Sequence, residues 1–124
     1  GTVRWYTPAL DECPEDIKPA CDPGLSAAAT SSNQLIFAGG FDGLLRAYEA
    51  SSGQVLWKYN SLGDFETVSG EVGKGGSIES DGPVLANGHL LVNSGYQFGS
   101  RMPGNVLLVF GLKRAAVTEG LASE

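Results

Sequence analysis

A chain of 124 residues, 42% hydrophobic and 18% charged, holds enough apolar side chain for one domain of ordinary soluble composition and leaves little room for a second. Its net charge of −6 opposes the attraction that drives nucleic-acid binding and adsorption to anionic membranes, and no apolar run approaches the ~20 residues needed to span a bilayer. Residues 1–20 have neither a basic start nor an apolar signal-peptide core, so an export signal is expected to have been removed or never present.

The predicted elements are short apolar runs bounded by glycine, asparagine or serine, the pattern of a many-stranded all-β fold. Strands are expected at residues 2–7, 27–30, 34–38, 44–49, 54–59, 77–80 running on toward Leu85, 89–93 and 106–110. Eighteen glycines against six prolines suit the tight turns between them, because glycine enters positive-φ positions without steric penalty. Ser51-Ser52-Gly53 and Ala86-Asn87-Gly88 are the clearest hairpin turns. Residues 8–26 form a Pro/Asp/Glu-rich loop holding the only cysteines, Cys13 and Cys21. Their spacing can close a small disulfide worth roughly 2–3 kcal/mol; the alternatives are two free thiols, or half a metal site remote from the sole histidine, His89. A bridge is expected, and it implies an oxidising compartment, periplasmic or secreted. Residues 61–76 are a glycine-rich linker, and the alanine- and charge-rich tail, residues 113–124, is expected to be a short helix or disordered.

The chain repeats itself. Gly1-Thr2-Val3-Arg4-Trp5 matches Gly53-Gln54-Val55-Leu56-Trp57 as Gly-x-Val-x-Trp at an offset of 52 residues, and Leu35-Ile36-Phe37-Ala38-Gly39-Gly40-Phe41 matches Leu90-Leu91-Val92-Asn93-Ser94-Gly95-Tyr96 at 55. Leu44-Leu45-Arg46-Ala47-Tyr48 recurs, displaced further, as Val106-Leu107-Leu108-Val109-Phe110. A four-strand unit repeating at this length is a propeller blade. The expected fold is therefore all-β, with about two antiparallel four-stranded blades, a partial propeller over residues 1–112 followed by the tail 113–124.

The stretch Asp42-Gly43-Leu44-Leu45-Arg46-Ala47-Tyr48-Glu49-Ala50-Ser51-Ser52-Gly53-Gln54-Val55-Leu56-Trp57 resembles the repeat of pyrroloquinoline quinone (PQQ) type propellers, whose pattern is Gly, Ala-x-Asp, Thr-Gly, Trp. Glu49 stands for the usual aspartate and Ser52 for the usual threonine. Gly-Gly-Ser at residues 75–77, Asn-Ser-Gly-Tyr at 93–96 and Pro-Gly-Asn-Val-Leu-Leu at 103–108 resemble the C-terminal part of polyvinyl-alcohol dehydrogenase-like quinoproteins, and the Cys13–Cys21 loop fits that likeness. The resemblance implies that Trp5 and Trp57 dock against neighbouring blades. It also implies PQQ as a cofactor, leaving calcium open. No Cys-x-x-Cys-His haem motif is present.

In an antiparallel meander successive loops alternate between the two ends of the blade. The short loops at 31–33, 50–53 and 86–88 fall at one end, and the long ones at 8–26, 39–43, 61–76 and 95–105 at the other. The long-loop face is the candidate binding face, since functional groups concentrate on loops held by a rigid scaffold. On it, Lys74 can pair with a quinone carboxylate, and bare amides at Gly75, Gly76 and Ser77 can add donors; the opposing reading is a solvated lysine on a flexible linker. Asp42 and Arg101 share the face as an acid and a cation, or as a turn residue and a solvated charge. No metal site is assigned, no catalytic residue is identified, and His89 lacks triad partners.

Two functions follow. The first is a piece of a PQQ-dependent alcohol dehydrogenase propeller, inactive alone; the second is a non-catalytic propeller module for assembly or ligand binding. Residues 1–6 resemble the outer strand of a blade whose other strands are absent, and residues 106–110 a third strand lacking a fourth. The expected partners are thus copies of the chain or the missing blades of a larger propeller, with residues 2–6 supplying an outer strand to a neighbour or folding back on their own chain.

Overall fold

The computed structural model describes residues 1–79, 81–96 and 99–112. Among these the chain is built from strands, with one short 3-10 turn at Glu15–Ile17. A four-stranded antiparallel sheet contains β1 (Thr30–Ser31), β2 (Leu35–Gly39), β3 (Leu44–Glu49) and β4 (Val55–Asn60). A hairpin, β5 (Gly63–Glu66) and β6 (Val72–Gly75), leads to a three-stranded sheet of β7 (Val84–Ala86), β8 (His89–Ser94) and β9 (Val106–Gly111). In both sheets the strands lie in sequence order, the meander of a propeller blade. The all-β fold class is as expected, with one four-stranded blade and three strands of a second among the described residues.

The turns follow from residue type. Asn87 (φ 49°) and Gly88 (φ 74°) both sit at positive φ between β7 and β8, as a two-residue primed hairpin turn requires. Gly53 (φ 76°) ends the β3–β4 turn, where its N–H donates to Glu49 O over 2.8 Å.

Strand register decides which side chains meet. Phe37, Ala47 and Trp57 lie abreast across β2, β3 and β4, as do Gly39, Leu45 and Tyr59. This front face of the first blade packs on the second, burying Leu45, Ile78, Leu90 and Val92 in one core, flanked by Ala27, Phe37, Tyr59 and Phe110. Trp57 meets Phe110 edge-on with ring centroids 5.5 Å apart, so it docks on the neighbouring blade as the repeat implies. The second blade turns Leu90, Val92 and Phe110 toward the first. Its other face carries Leu91, Asn93, Leu107 and Val109, and Leu107 and Val109 are 53% and 55% exposed.

Three expectations about the elements need correction. Residues 2–7 are not a strand: no neighbouring strand pairs with them among the described residues, and they lie against the β3–β4 turn instead. There Trp5 Nε1 donates to Ala50 O (2.8 Å) and the Thr7 hydroxyl to Gly53 O (2.6 Å), with the indole seated where a side chain at Gly53 would stand. The linker 61–76 contains the β5–β6 hairpin, closed by Thr67 N–H to Glu71 O (3.0 Å) around Gly70 at φ 87°. Ser77 and Ile78 are not in a ladder, because their amides donate to loop carbonyls at Met102 and Gly40. The strand resumes only at β7; residue 80 and the tail 113–124 lie outside the described residues.

The repeat offset also shifts by one. Ala47 faces Phe37 in the first blade, and Val109 faces Leu91 in the second. Since Ala47 corresponds to Val109, Phe37 corresponds to Leu91, 54 positions on rather than to Val92 at 55. In a strand of period two a one-residue slip exchanges the faces, so only the even offset keeps Ile36 and Leu90 on equivalent sides.

Candidate functional site

The long connections converge. Phe41 N–H donates to Gly24 O (2.9 Å), tying the β2–β3 turn to the loop before β1, and the Ser77 hydroxyl donates to Phe41 O (2.7 Å). Ser77 N–H donates to Met102 O (2.9 Å) while Met102 N–H donates back to Ser77 Oγ (3.1 Å). The Arg101 guanidinium lies 4.0 Å over the Phe41 ring and pairs with Asp22. Turn, inter-blade segment, β8–β9 connection and cysteine loop thus form one surface, and the structure brings Ser77, Arg101 and the Phe41-Asp42 turn together on it.

The candidate residues differ in what they have left to offer. Lys74 lies in β6 with an exposed side chain, its backbone exchanging hydrogen bonds with Asn105: N–H to Asn105 Oδ1 (2.8 Å) and O from Asn105 N–H (2.6 Å). Gly75, Gly76 and Ser77 are buried. The reading of bare amides is corrected at two of them: Gly76 N–H donates to Ser94 Oγ (2.9 Å) and Ser77 N–H to Met102 O. Their backbones are engaged within the chain because this segment runs between the blades rather than over solvent. Asp42 is buried and bound to Arg46 at 2.6 and 3.3 Å, and it also accepts Leu44 N–H at 3.0 Å. It is therefore a structural anion. Cys13 and Cys21 form the expected disulfide, with Cα atoms 5.8 Å apart.

Two clusters were not read from the sequence. On the back of the first blade Arg46 takes a second carboxylate, Glu12 (3.1 Å), which also binds Lys58 (2.6 Å). The hydrogen bond from Lys58, assisted by Arg46, holds the Glu12 carboxyl below its ordinary value against a smaller opposing effect of burial. The signal was present: Arg46 stands in β3 where β9 has Leu108, and a charge in a buried register demands a partner. Between the blades Ser61 and Ser94, both fully buried, share a hydrogen bond (2.7 Å). Ser61 Oγ also donates to Gly43 O (2.8 Å), and Ser94 Oγ accepts Gly76 N–H. Ser94 lies in the Asn-Ser-Gly-Tyr stretch of residues 93–96, but no local pattern marks Ser61 as its partner.

Beside the converged loops lies an open cleft of about 610 Å³ lined by Asp11, Lys18, Cys21, Asp22, Ser100 and Arg101, among others. Lys18 pairs with Asp11 and Glu15, both at 2.9 Å, so each cation of this wall already has an acid. Among the described residues no group of three or more His, Cys, Asp or Glu side chains is placed to hold a metal ion. An apolar groove of about 470 Å³ runs between Trp57, Leu85, Leu90 and Phe110. Exposed His89 borders it, with Nδ1 2.9 Å from Asn87 O. Among the described residues no helix is long and apolar enough to cross a membrane.

Comparison with known proteins identifies relatives. Polyvinylalcohol dehydrogenase of Pseudomonas sp is 37% identical over 101 residues, and that of Sphingopyxis sp. (strain 113P3) is 31% identical over 102; each match covers 74% of this chain. The dehydrogenase subunit of alcohol dehydrogenase (quinone) from Gluconacetobacter polyoxogenes is 34% identical over 104 residues, covering 82% of this chain. The chain spans 16% of the length of the first two and 13% of the third. No family model and no solved structure matches it.

Proposed function

The chain belongs to the polyvinyl-alcohol dehydrogenase-like quinoproteins, and on that premise we propose that it is a two-blade sector of a quinone-dependent alcohol dehydrogenase propeller, working outside the cytoplasm and inactive by itself. The observation that carries this reading is the 37% identity to a polyvinylalcohol dehydrogenase over 101 residues. The disulfide suits an oxidising compartment, periplasmic or secreted. The apolar side chains Leu107 and Val109 are covered by a further blade, from the rest of a larger propeller or from a second copy.

The residues present fit one edge of an anionic quinone. Of the two candidate cations Arg101 is paired with Asp22, whereas Lys74 projects from β6 with an exposed side chain. Lys74 is the group proposed to meet a PQQ carboxylate, while its position is fixed by the pairing of Gly75 with Gly63 and by the hydrogen bonds of Gly76 to Ser94 and of Ser77 to Met102. When bound, PQQ supplies the two-electron acceptor for alcohol oxidation, and the protein supplies orientation and charge.

A chimera tests the reading: the matched residues of this chain replace the corresponding segment of the Pseudomonas polyvinylalcohol dehydrogenase, and dye-linked alcohol oxidation is measured with added PQQ and calcium. Retained activity, falling about tenfold or more with Lys74→Ala, a loss of at least about 1.4 kcal/mol in transition-state terms, is the expected result. A chimera that melts normally yet oxidises no alcohol would instead mark this sector as a non-catalytic module.

A further inference from the structure

The cysteine loop does more than close on itself. Each half-cystine adjoins a carboxylate that reaches a different part of the fold. Glu12, next to Cys13, binds Arg46 and Lys58 on the back of the first blade. Asp22, next to Cys21, pairs with Arg101 in the β8–β9 connection of the second blade and accepts Gly24 N–H at 2.7 Å. Gly24 O in turn holds Phe41 N–H, and the Phe41 ring carries the Arg101 guanidinium. The path from one blade to the other therefore runs Lys58, Glu12, Cys13, Cys21, Asp22, Arg101, and its central link is the disulfide.

That link is also a wall of the cleft, because Cys21, Asp22 and Arg101 all line it. Beyond Arg101 the connection is held independently: Met102 and Ser77 exchange two hydrogen bonds, and Gly104 and Asn105 donate to Gly95 and Lys74. Release of the loop would consequently free residues 99–101, on one side of the cleft, without disturbing the rest of the connection. Cys13 is half-buried and Cys21 only 1% exposed, so a reductant meets the Cys13 sulfur first.

We propose that the Cys13–Cys21 loop is a redox-releasable strap that ties the back of the first blade to Arg101 of the second and so sets the opening of the cleft that the loop forms with residues 99–101. The releasing agent is a dithiol. One of its thiolates attacks Cys13 Sγ, the disulfide bond breaks and Cys21 leaves as a thiolate that takes up a proton. The second thiol of the reductant then attacks the mixed disulfide, freeing Cys13 as a thiol. The chain gains two electrons and two protons, and the reductant ends as its own disulfide. With the covalent link cut, the two anchors act separately, each an ion pair of modest strength.

Hydrogen–deuterium exchange of the chain before and after reduction with dithiothreitol reads the result. Exchange is expected to rise in residues 8–26 and in 99–101, distant in sequence, while β2, β3 and β8 keep their protection. A rise confined to residues 11–22, or a loss of protection through all the sheets, would overturn the strap, leaving a local staple or a global one. A second measurement keeps the disulfide native. If the anchors and the bond form one strap, weakening an anchor must ease reduction, since coupling between two sites is reciprocal. Asp22→Asn and Glu12→Gln should each raise the equilibrium constant for reduction by dithiothreitol about two- to fivefold, the range expected for loss of a partly exposed ion pair. Equilibrium constants equal to the wild type in both variants would equally overturn it.

Discussion

The two faces of the first blade are closed by opposite chemistries. Its front face is sealed by apolar side chains, with Leu45 and Ile78 meeting Leu90 and Val92. Its back face is sealed by Arg46 between Asp42 and Glu12, under a loop held by a disulfide. Apolar burial is non-directional and responds mainly to lost volume. The charged closure depends on the presence of every partner, because a guanidinium taken from water is tolerable only while its carboxylates are there. One blade thus has a permanent side and a side whose strength varies with pH, salt and redox state.

The sharpest way to break this contrast is to remove Asp42, the carboxylate 1% exposed at its side chain. Asp42→Ala leaves Arg46 buried with only Glu12 and should cost about 3–5 kcal/mol in urea denaturation. The double variant Asp42→Leu with Arg46→Leu, which copies the apolar Leu108 of the second blade, should recover most of that loss. A single variant within about 0.5 kcal/mol of the wild type would mean that the back face is not closed by charge.

A smaller effect probes whether the front face is as purely apolar as its core suggests. Ser94→Ala removes the partner of Ser61 Oγ and of Gly76 N–H, leaving two buried polar groups short of a bond. A loss of about 1–3 kcal/mol is expected; a neutral result by thermal melting would assign the front interface to apolar contact alone.

The smallest effect is also the most specific. Glu12 is held below its ordinary value by Lys58 and Arg46, so its folded form binds a proton less readily than its unfolded form. Its contribution is complete above the ordinary glutamate pKa of about 4.3 and is lost as pH falls through the lower folded value. Asp42, Arg46, Tyr48 and Lys58 surround the site, and only Asp42 among them is a second acid. Glu12→Gln should destabilise by no more than about 1 kcal/mol near neutrality. The difference from wild type should shrink as the solution is acidified below the glutamate range, and a constant difference in melts across that interval would exclude the carboxylate as the source.

The strands were legible where period and turn chemistry agreed, as in residues 44–49 and at Asn87-Gly88, and so were the disulfide and the docking of Trp57. Residues 2–7 misled because Gly-x-Val-x-Trp specifies a strand only when another strand lies beside it. The β5–β6 hairpin was hidden by glycines that read as a linker, since Val72-Gly73-Lys74-Gly75 has no apolar alternation. The site was half visible. The face carrying the long loops was implied by topology, but which charges on it are neutralised depends on contacts such as Glu12 with Arg46, 34 residues apart, that no local pattern encodes.

The chain has two tryptophans, and they stand at different seams. Trp5 rests on the β3–β4 turn with its indole N–H bound to Ala50 O, and Trp57 touches Phe110 across the blades. Each is an intrinsic fluorophore for one event. With Trp5→Phe the emission comes from Trp57 alone and follows separation of the blades; with Trp57→Phe it comes from Trp5 and follows detachment of the N-terminal segment. Stopped-flow traces of the two variants thereby convert an unfolding reaction into two timed signals, one for each seam, without an added label.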